Sequence, residues 1–534
     1  VVVPLTADGA RAPLAPTLEA ACRRWPDRPA VTFAGSTITY AELGRSVARL
    51  AAAYRRLGIE RGDRILCQLP NSPEHLIAIN AAWALGAVHV GVDNDLTGRE
   101  LAWLAERTEA AALLFRPGAG ADDPLAPVRA VQATHPRTRV IVHAPSAPGG
   151  AGGALALDDL LAGAGPGEPW APAHGPDDTA HLLLTSGTTG KPKAVMETLP
   201  GCWAKMQFFA DAFRPGPDDV HLLYLPMAHV FGMRLALLAL LRGGRLVLAE
   251  RFSPRAALRL VGEERVTVLP GMPAHFTLLL AALDPGHHRV DTLRWGISAA
   301  SALPRPLVEA IYERLDVELL YVYGCSENFT VETTDRDDVL AGSVGRRVFC
   351  GPPGTPPDGR IGVFEPGGST LLRPGDVGEI AFGARRPVRY WKDPEAAADG
   401  WYRTGDLGRV DPDGRVYVLG RLKELVNRGG LHVSPTEVET AIRAHPAVGD
   451  AAVVAAPDPV LGEAICACVV AAPGEPDLAG LRAFLAPVLA RHKLPDQLCR
   501  VESIPRTKIG KVDRAALEAI VADDGRPRER WRPR

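Results

Sequence analysis

A marked excess of charge of either sign is missing from this chain. Its 60 Lys and Arg stand against 62 Asp and Glu, a net of −2 with neutral His. Such a balance leaves no basic footprint for nucleic acid and no attraction to an anionic membrane surface. Long apolar runs are missing too: no stretch approaches the ~18 residues a membrane-spanning helix needs. The opening VVVPLTADGARAP has no basic segment followed by an apolar one, the layout of a secretory signal. Cysteine is sparse, with eight in 534 residues, and scattered. Cys466 and Cys468 sit two apart in an apolar run with no His or Cys partner nearby, so they read as one face of a buried strand rather than a metal pair. Reduced cysteines in a cytoplasmic protein are the simplest reading.

What is present is ordinary for a soluble globular protein: 46% hydrophobic and 23% charged residues, in a chain long enough for two or more domains. Residues 14–29 read as a short amphipathic helix stopped by Pro26, and Ala30–Phe33 with Thr37–Tyr40 as a hairpin around Gly35. Helical periodicity over Ala41–Leu57 ends at Gly58. Strand-like Arg64–Leu69, helical Ser72–Leu85 and strand-like Ala87–Val92 follow. Then come a helix from Thr97, capped with Glu100 in a capping box, and a strand at Ala110–Phe115. Alternating strands and helices predict an α/β fold with a mainly parallel sheet covered on both faces. Residues 144–178 are rich in Ala, Gly and Pro and predict loop, with one helical turn near Leu157–Ala162.

The densest chemistry lies at Leu182–Val195, LLLTSGTTGKPKAV. An apolar run feeds a loop of Thr185, Ser186, Gly187, Thr188, Thr189 and Gly190, followed by Lys191 and Lys193. Glycines permit the tight backbone of an anion nest, hydroxyls donate to phosphate oxygens, and lysines add charge. A Walker A loop is excluded. The G-x-x-x-x-G-K-[ST] spacing is not met, and Pro192 follows Lys191 where a hydroxyl should stand.

TSGTTGKPK resembles the phosphate loop of the adenylate-forming superfamily, which comprises acyl- and aryl-CoA ligases, adenylation enzymes that load carrier proteins, and beetle luciferases. Further blocks resemble the family in order along essentially the whole chain. YAEL at Tyr40–Leu43 and GDR at Gly62–Arg64 match its opening, although Asp93–Asn94–Asp95 stand where Pro–Asn is usual. HLLYLPMAHVFGM, a strand and then a turn, resembles the fourth block, which makes His229 a residue of the acid pocket and thiol tunnel. A packed or capping histidine is the competing reading. RWGISAASALP supplies small residues for one pocket wall. LYVYGCSENFT resembles Tyr-Gly-x-Thr-Glu, with Ser326 for Thr. It implies Tyr323 stacking on the nucleotide and Glu327 as a hard oxygen ligand for Mg²⁺. Residues 376–383 and 389–393 resemble the sixth block, with Arg389 in place of Gly.

YRTGD resembles the block whose Asp accepts ribose hydroxyls, here Asp406. In GRLKELVNRGG, Arg421 would reach the nucleotide, Lys423 stands at the hinge between domains, and Gly429 and Gly430 would line the thiol tunnel. IPRTKIGKVDR resembles Pro-Arg-Thr-x-x-Gly-Lys and makes Lys511 the catalytic lysine. The resemblance implies an N-terminal domain over 1–422, built of parallel αβ subdomains and a small β-barrel-like one. A small mobile α+β domain would follow over 423–534. It implies ATP and Mg²⁺ as cofactors and a carboxylic acid activated to acyl-AMP by Lys511, Glu327, Thr185 and His229. The phosphate loop, Tyr323, Ser326, Asp406 and Arg421 would hold ATP. His229, Val230, Phe231, Ser298, Ala299, Ala300, Gly324 and Cys325 would line the acid pocket. The acyl group would pass to CoA or, alternatively, to a carrier-protein phosphopantetheine. Val230 stands where amino-acid-activating members carry Asp. A buried ammonium would lack a partner there, so an aryl or short-to-medium acyl acid is expected.

Overall fold

The computed structural model describes residues 17–117, 123, 125–143, 154–163, 170–185, 193–327, 329–350, 360–383, 388–396, 400–429, 431–472, 474, 476–507, 511–523 and 528–531. Local signals act where the sequence places them. Thr39 and Thr97 each accept a backbone N–H while Glu42 and Glu100 reach back, so the helices Tyr40–Arg56 and Gly98–Thr108 both begin on full capping boxes. Tyr40, expected at the end of a strand, is instead the first residue of its helix. Its buried hydroxyl lies 2.7 Å from the Gly244 carbonyl.

Two nine-stranded sheets carry the larger, N-terminal part. In one, the parallel strands Pro29–Phe33, Arg245–Leu248, Val220–Leu223, Val268–Gly271, Trp295–Ala299 and Glu318–Gly324 lie between antiparallel edges. In the other, Thr179–Leu184, Val88–Gly91, Arg64–Gln68, Ala110–Phe115 and Arg139–Val142 run parallel, and Ala194–Thr198 turns back beside the first of them. The helices Pro73–Ala84 and Val230–Leu241 are mostly apolar and lie buried in the core common to both sheets, with His75, Asn80 and Arg234 as buried polar exceptions. The turn expected after Leu223 is short, because helix begins at Val230.

The β-barrel-like subdomain takes the form of a four-stranded antiparallel sheet, Ile361–Phe364, Gly378–Gly383, Trp401–Val410 and Val416–Arg421. A smaller α+β part follows from Val426, with its own six-stranded sheet and its own cores. Cys466 and Cys468 do share a buried strand face, but a partner is near after all: Cys499 stands opposite Cys468 on the next strand. Sequence proximity could not reveal a neighbour brought in by a parallel crossover. No helix among the described residues is long and apolar enough to cross a membrane.

Candidate active site

The strands Thr179–Leu184 and Ala194–Thr198 form an antiparallel pair that closes the base of the hydroxyl-rich loop. The Thr185 N–H donates to the Lys193 carbonyl at 2.9 Å, and the Thr185 hydroxyl donates to the same oxygen at 3.3 Å. Ser186, Gly187, Thr188, Thr189, Gly190 and Lys191 lie outside the described residues. Lys193 Nζ stands 5.0 Å over the ring of Tyr390, whose hydroxyl donates to Glu327 Oε1 at 3.1 Å. Tyr390 thus joins the exit of the loop to Glu327, across the pairing of Tyr390 with Val195. Glu327 occupies the turn between the strands Glu318–Gly324 and Phe329–Thr333. That hairpin needs glycine at 324, because a Cβ there would meet Thr330 Oγ1 at 2.5 Å and the Phe329 carbonyl at 2.7 Å. Ser326 lies in the same turn.

The nucleotide end of the predicted site is assembled around Asp406. Tyr323 donates its hydroxyl to Asp406 Oδ2 at 2.6 Å, and Arg421 Nε lies 2.7 Å from Asp406 Oδ1. Strand register places Asp406 directly opposite Arg421. Burial raises the Asp406 carboxyl above its ordinary pKa, and Arg421 opposes that shift. Phe329, Phe382 and Tyr402 stack beside Tyr323. Lys511 reaches this cluster from the C-terminal part. Burial, then Arg421, holds its ammonium below the usual lysine pKa, while Asp406 and Glu424 act the other way. Its loop is fixed at the base, where the Thr507 N–H donates to the Lys511 carbonyl at 2.7 Å and Arg506 bridges Val512.

His229 precedes the helix Val230–Leu241, and its side chain makes no capping bond. Its Nε2 lies 3.1 Å from Asp93 Oδ1. The Asp93–Asn94–Asp95 departure from the family pattern therefore bears on the site, since it sets a carboxylate against the predicted pocket histidine. Gly91 allows the approach: a Cβ there would stand 2.5 Å from the Ala228 carbonyl. Val230 and Phe231 are half-buried. Ser298 is buried with no partner for its hydroxyl, and Ala299 is buried beside it. Ala300 holds φ +76, the left-handed region that costs an L-residue roughly 1–3 kcal/mol and that gathers at functional sites. Gly324 is exposed, and Cys325 is half-buried.

Sequence reasoning missed Lys205 and the pair Arg234–Glu197. Lys205 is 1% exposed, with no hydrogen-bond partner for Nζ, which stands 4.8 Å over the Phe349 ring. Burial lowers its pKa, and Cys325 of the predicted pocket is among the groups that act on it. Arg234 and Glu197 form an ion pair with side chains 4% and 2% exposed. Each looks like a surface charge in the sequence; only a helix or strand position already known to face inward would give it away.

Lys423 is exposed, in the 3₁₀ turn Leu422–Glu424. Glu424 accepts from Arg514 Nε at 2.8 Å, and Arg514 also donates to Glu439 at 2.7 Å. The Gly429 N–H donates to the Leu461 carbonyl, and Arg428 grips Asp496 through two bonds of 2.7–2.8 Å. Gly430 lies outside the described residues.

The base of the hydroxyl-rich loop, the Tyr323–Asp406–Arg421 cluster and Lys511 of the C-terminal part are the groups that the sequence motifs assign to a nucleotide. Comparison with known proteins gives the family. The AMP-binding enzyme model matches residues 18–386 and the AMP-binding enzyme C-terminal domain model matches residues 437–511, so the chain belongs to the AMP-binding, adenylate-forming enzymes. It is 32% identical to a 2,3-dihydroxybenzoate-AMP ligase of Bacillus subtilis, covering 94% of this chain and 92% of that protein. It is 33% identical to a salicyl-AMP ligase / salicyl-S-ArCP synthetase of Mycobacterium tuberculosis, covering 94% and 89%. Among solved structures, ATP-bound MatB from Rhodopseudomonas palustris superposes with a TM-score of 0.81 at 28% identity, covering 96% of this chain and 99% of that one.

Proposed function

We propose that this chain is an AMP-forming acid–thiol ligase acting on an aryl or short-to-medium acyl acid. The observation that carries the reading is the meeting of Lys511, from the C-terminal part, with Asp406 and Arg421 of the N-terminal part. A carboxylate is a poor acylating agent because its leaving group is oxide. In the first step a carboxylate oxygen bonds to the α-phosphorus of ATP and pyrophosphate leaves. Anion meets anion, so fixed positive charge is needed where the new charge develops. Lys511 supplies it. Thr185, the loop after it and Lys193 hold the phosphates, Tyr323 and Ser326 border the base, and Asp406 with Arg421 takes the ribose. Glu327 and the Thr185 hydroxyl are oxygen donors suited to a hard ion, so they would hold Mg²⁺, which when bound neutralises triphosphate charge. In the second step a thiol attacks the acyl carbon and AMP leaves.

The division at 422/423 is supported by the last strand of the four-stranded sheet ending at Arg421, just before the exposed turn that carries Lys423. Turning about that point would exchange Lys511 for the Gly429–Gly430 face at the tunnel. His229, Val230, Phe231, Ser298, Ala299, Ala300, Gly324 and Cys325 line the acid pocket. Lys205 would favour an acid with a hydrogen-bond acceptor at its far end. The two aryl-AMP relatives support an aryl acid. CoA is the proposed thiol. The salicyl-S-ArCP relative supports a second reading, loading of a carrier-protein phosphopantetheine in natural-product assembly. Eight cysteines that form no disulfide among the described residues suit a reducing, cytoplasmic setting.

ATP–pyrophosphate exchange over a panel of benzoic, hydroxybenzoic and short aliphatic acids tests the proposal, with CoA or a phosphopantetheinylated carrier then added. Exchange with one class of acid, followed by thioester formation, is expected. No exchange with any acid would reduce the chain to a nucleotide-binding scaffold.

A further inference from the structure

A second cluster lies apart from these groups, on one face of the sheet that carries the phosphate loop. Register pairs Ile65 with His89, Cys67 with Gly91 and His89 with His181. Side chains alternate along a strand, so Cys67, His89 and His181 share a face. The helix Pro73–Ala84 adds His75 to them, with its ring 5.6 Å from that of His89. Cys67, His75 and His89 are fully buried, and one ligand atom from each lies within 4.8 Å of the others.

The hydrogen bonding leaves one nitrogen of two rings unused. His75 Nδ1 faces the Pro70 carbonyl at 3.3 Å, and His89 Nδ1 faces His181 Nδ1 at 3.3 Å. Nε2 of both His75 and His89 is buried with no hydrogen-bond partner. An orphaned buried polar atom is costly, and an apolar side chain would avoid that cost. A histidine whose Nδ1–H is fixed by a carbonyl presents Nε2 as a lone pair, the arrangement of metal-bound imidazoles.

We propose that Cys67, His75 and His89 form a binding site for a late transition metal ion, zinc first, with His181 as the positioning residue for His89. Thiolate with imidazole is the donor set zinc prefers, at about 2.3 Å for sulfur and 2.0–2.1 Å for nitrogen. Binding forms the metal–sulfur bond, breaks the Cys67 S–H bond and releases that proton to solvent. The ion would tie two strands to the helix between them, and its role is structural.

The full chain, purified without chelator from zinc-supplemented medium, is assayed for metal content. It is then stripped in denaturant and refolded with Co²⁺. One ion per chain is expected, with a thiolate-to-cobalt charge-transfer band. Cys67→Ser should lose the band, whereas Cys202→Ser, at a buried cysteine outside the cluster, should keep it. Zinc should raise the unfolding midpoint of the wild-type chain and leave that of His75→Gln unmoved, which keeps the test open should Cys67→Ser fail to fold. A wild-type chain that folds and takes up neither zinc nor cobalt in stoichiometric amount overturns the proposal. So does a cobalt band that survives Cys67→Ser.

Discussion

Replacing Lys511 with Ala separates the two chemical steps. The ammonium is within electrostatic reach of Asp406 and Arg421 in partly desolvated surroundings, where a fixed charge acts more strongly than in water. Loss of one such preorganised donor removes about 2.7–4 kcal/mol of transition-state stabilisation, roughly 10²–10³ in rate. ATP–pyrophosphate exchange should therefore fall by that factor, while thioester formation from preformed acyl-AMP stays within about twofold of wild type by the same reasoning. The pH profile gives a second readout. Burial and Arg421 hold the lysine pKa below its usual value, and adenylation needs the protonated form. The rate is thus full below that lowered pKa and falls as pH rises through it, earlier than an unperturbed lysine would allow. The alanine variant should lack this alkaline limb, and the thiol step should lack it in both proteins. Equal losses in the two half-reactions would refute the assignment of Lys511.

Lys423→Pro should spare pyrophosphate exchange and suppress thioester formation; full turnover in that variant would remove the alternation of the two lobes. Asp406→Asn, which takes the charge from a carboxylate bonded by Tyr323 and Arg421, should raise the KM for ATP by roughly 10- to 100-fold, the equivalent of about 1.5–3 kcal/mol for bonds to a charged group. An unchanged KM would separate Asp406 from the nucleotide. Arg234→Leu strands Glu197 in the core, and thermal or urea unfolding should show a loss of about 3–5 kcal/mol. A loss below about 1 kcal/mol, the range of exposed pairs, would mean that the pair is solvated. Lys205→Met should raise the unfolding midpoint while lowering kcat/KM only for acids with a distal acceptor; a uniform loss across the acid panel would detach Lys205 from acid selection.

Much of this was legible in one dimension. Capping boxes at Thr39 and Thr97 use only neighbours three residues apart, so the sequence displays them whole. The blocks around Thr185 and Glu327 sit at a strand end and in a hairpin turn, where local residue types suffice, whereas Asp406 lies inside the strand Trp401–Val410 and meets Arg421 only through strand register. What stayed hidden depends on contacts between distant segments. Tyr390 bridges Lys193 to Glu327 only because its strand pairs with Val195. Asp93 was visible as a departure, but its meaning required the close packing of Gly91 on Ala228. The Cys67, His75 and His89 cluster needs sheet register and a covering helix, neither of which a linear scan supplies. Lys205, Arg234 and Glu197 look solvated until the buried faces of their helices and strand are known.

The contacts either side of Lys423 bound where the proposed hinge would have to turn. Arg421 is anchored by Asp406 to the larger lobe, whereas Glu424 is anchored by Arg514 to the smaller. Those two grips are separated by Leu422 and Lys423 alone. A swivel of one lobe upon the other must spend its whole rotation in the torsions of that dipeptide or first let go of an ion pair.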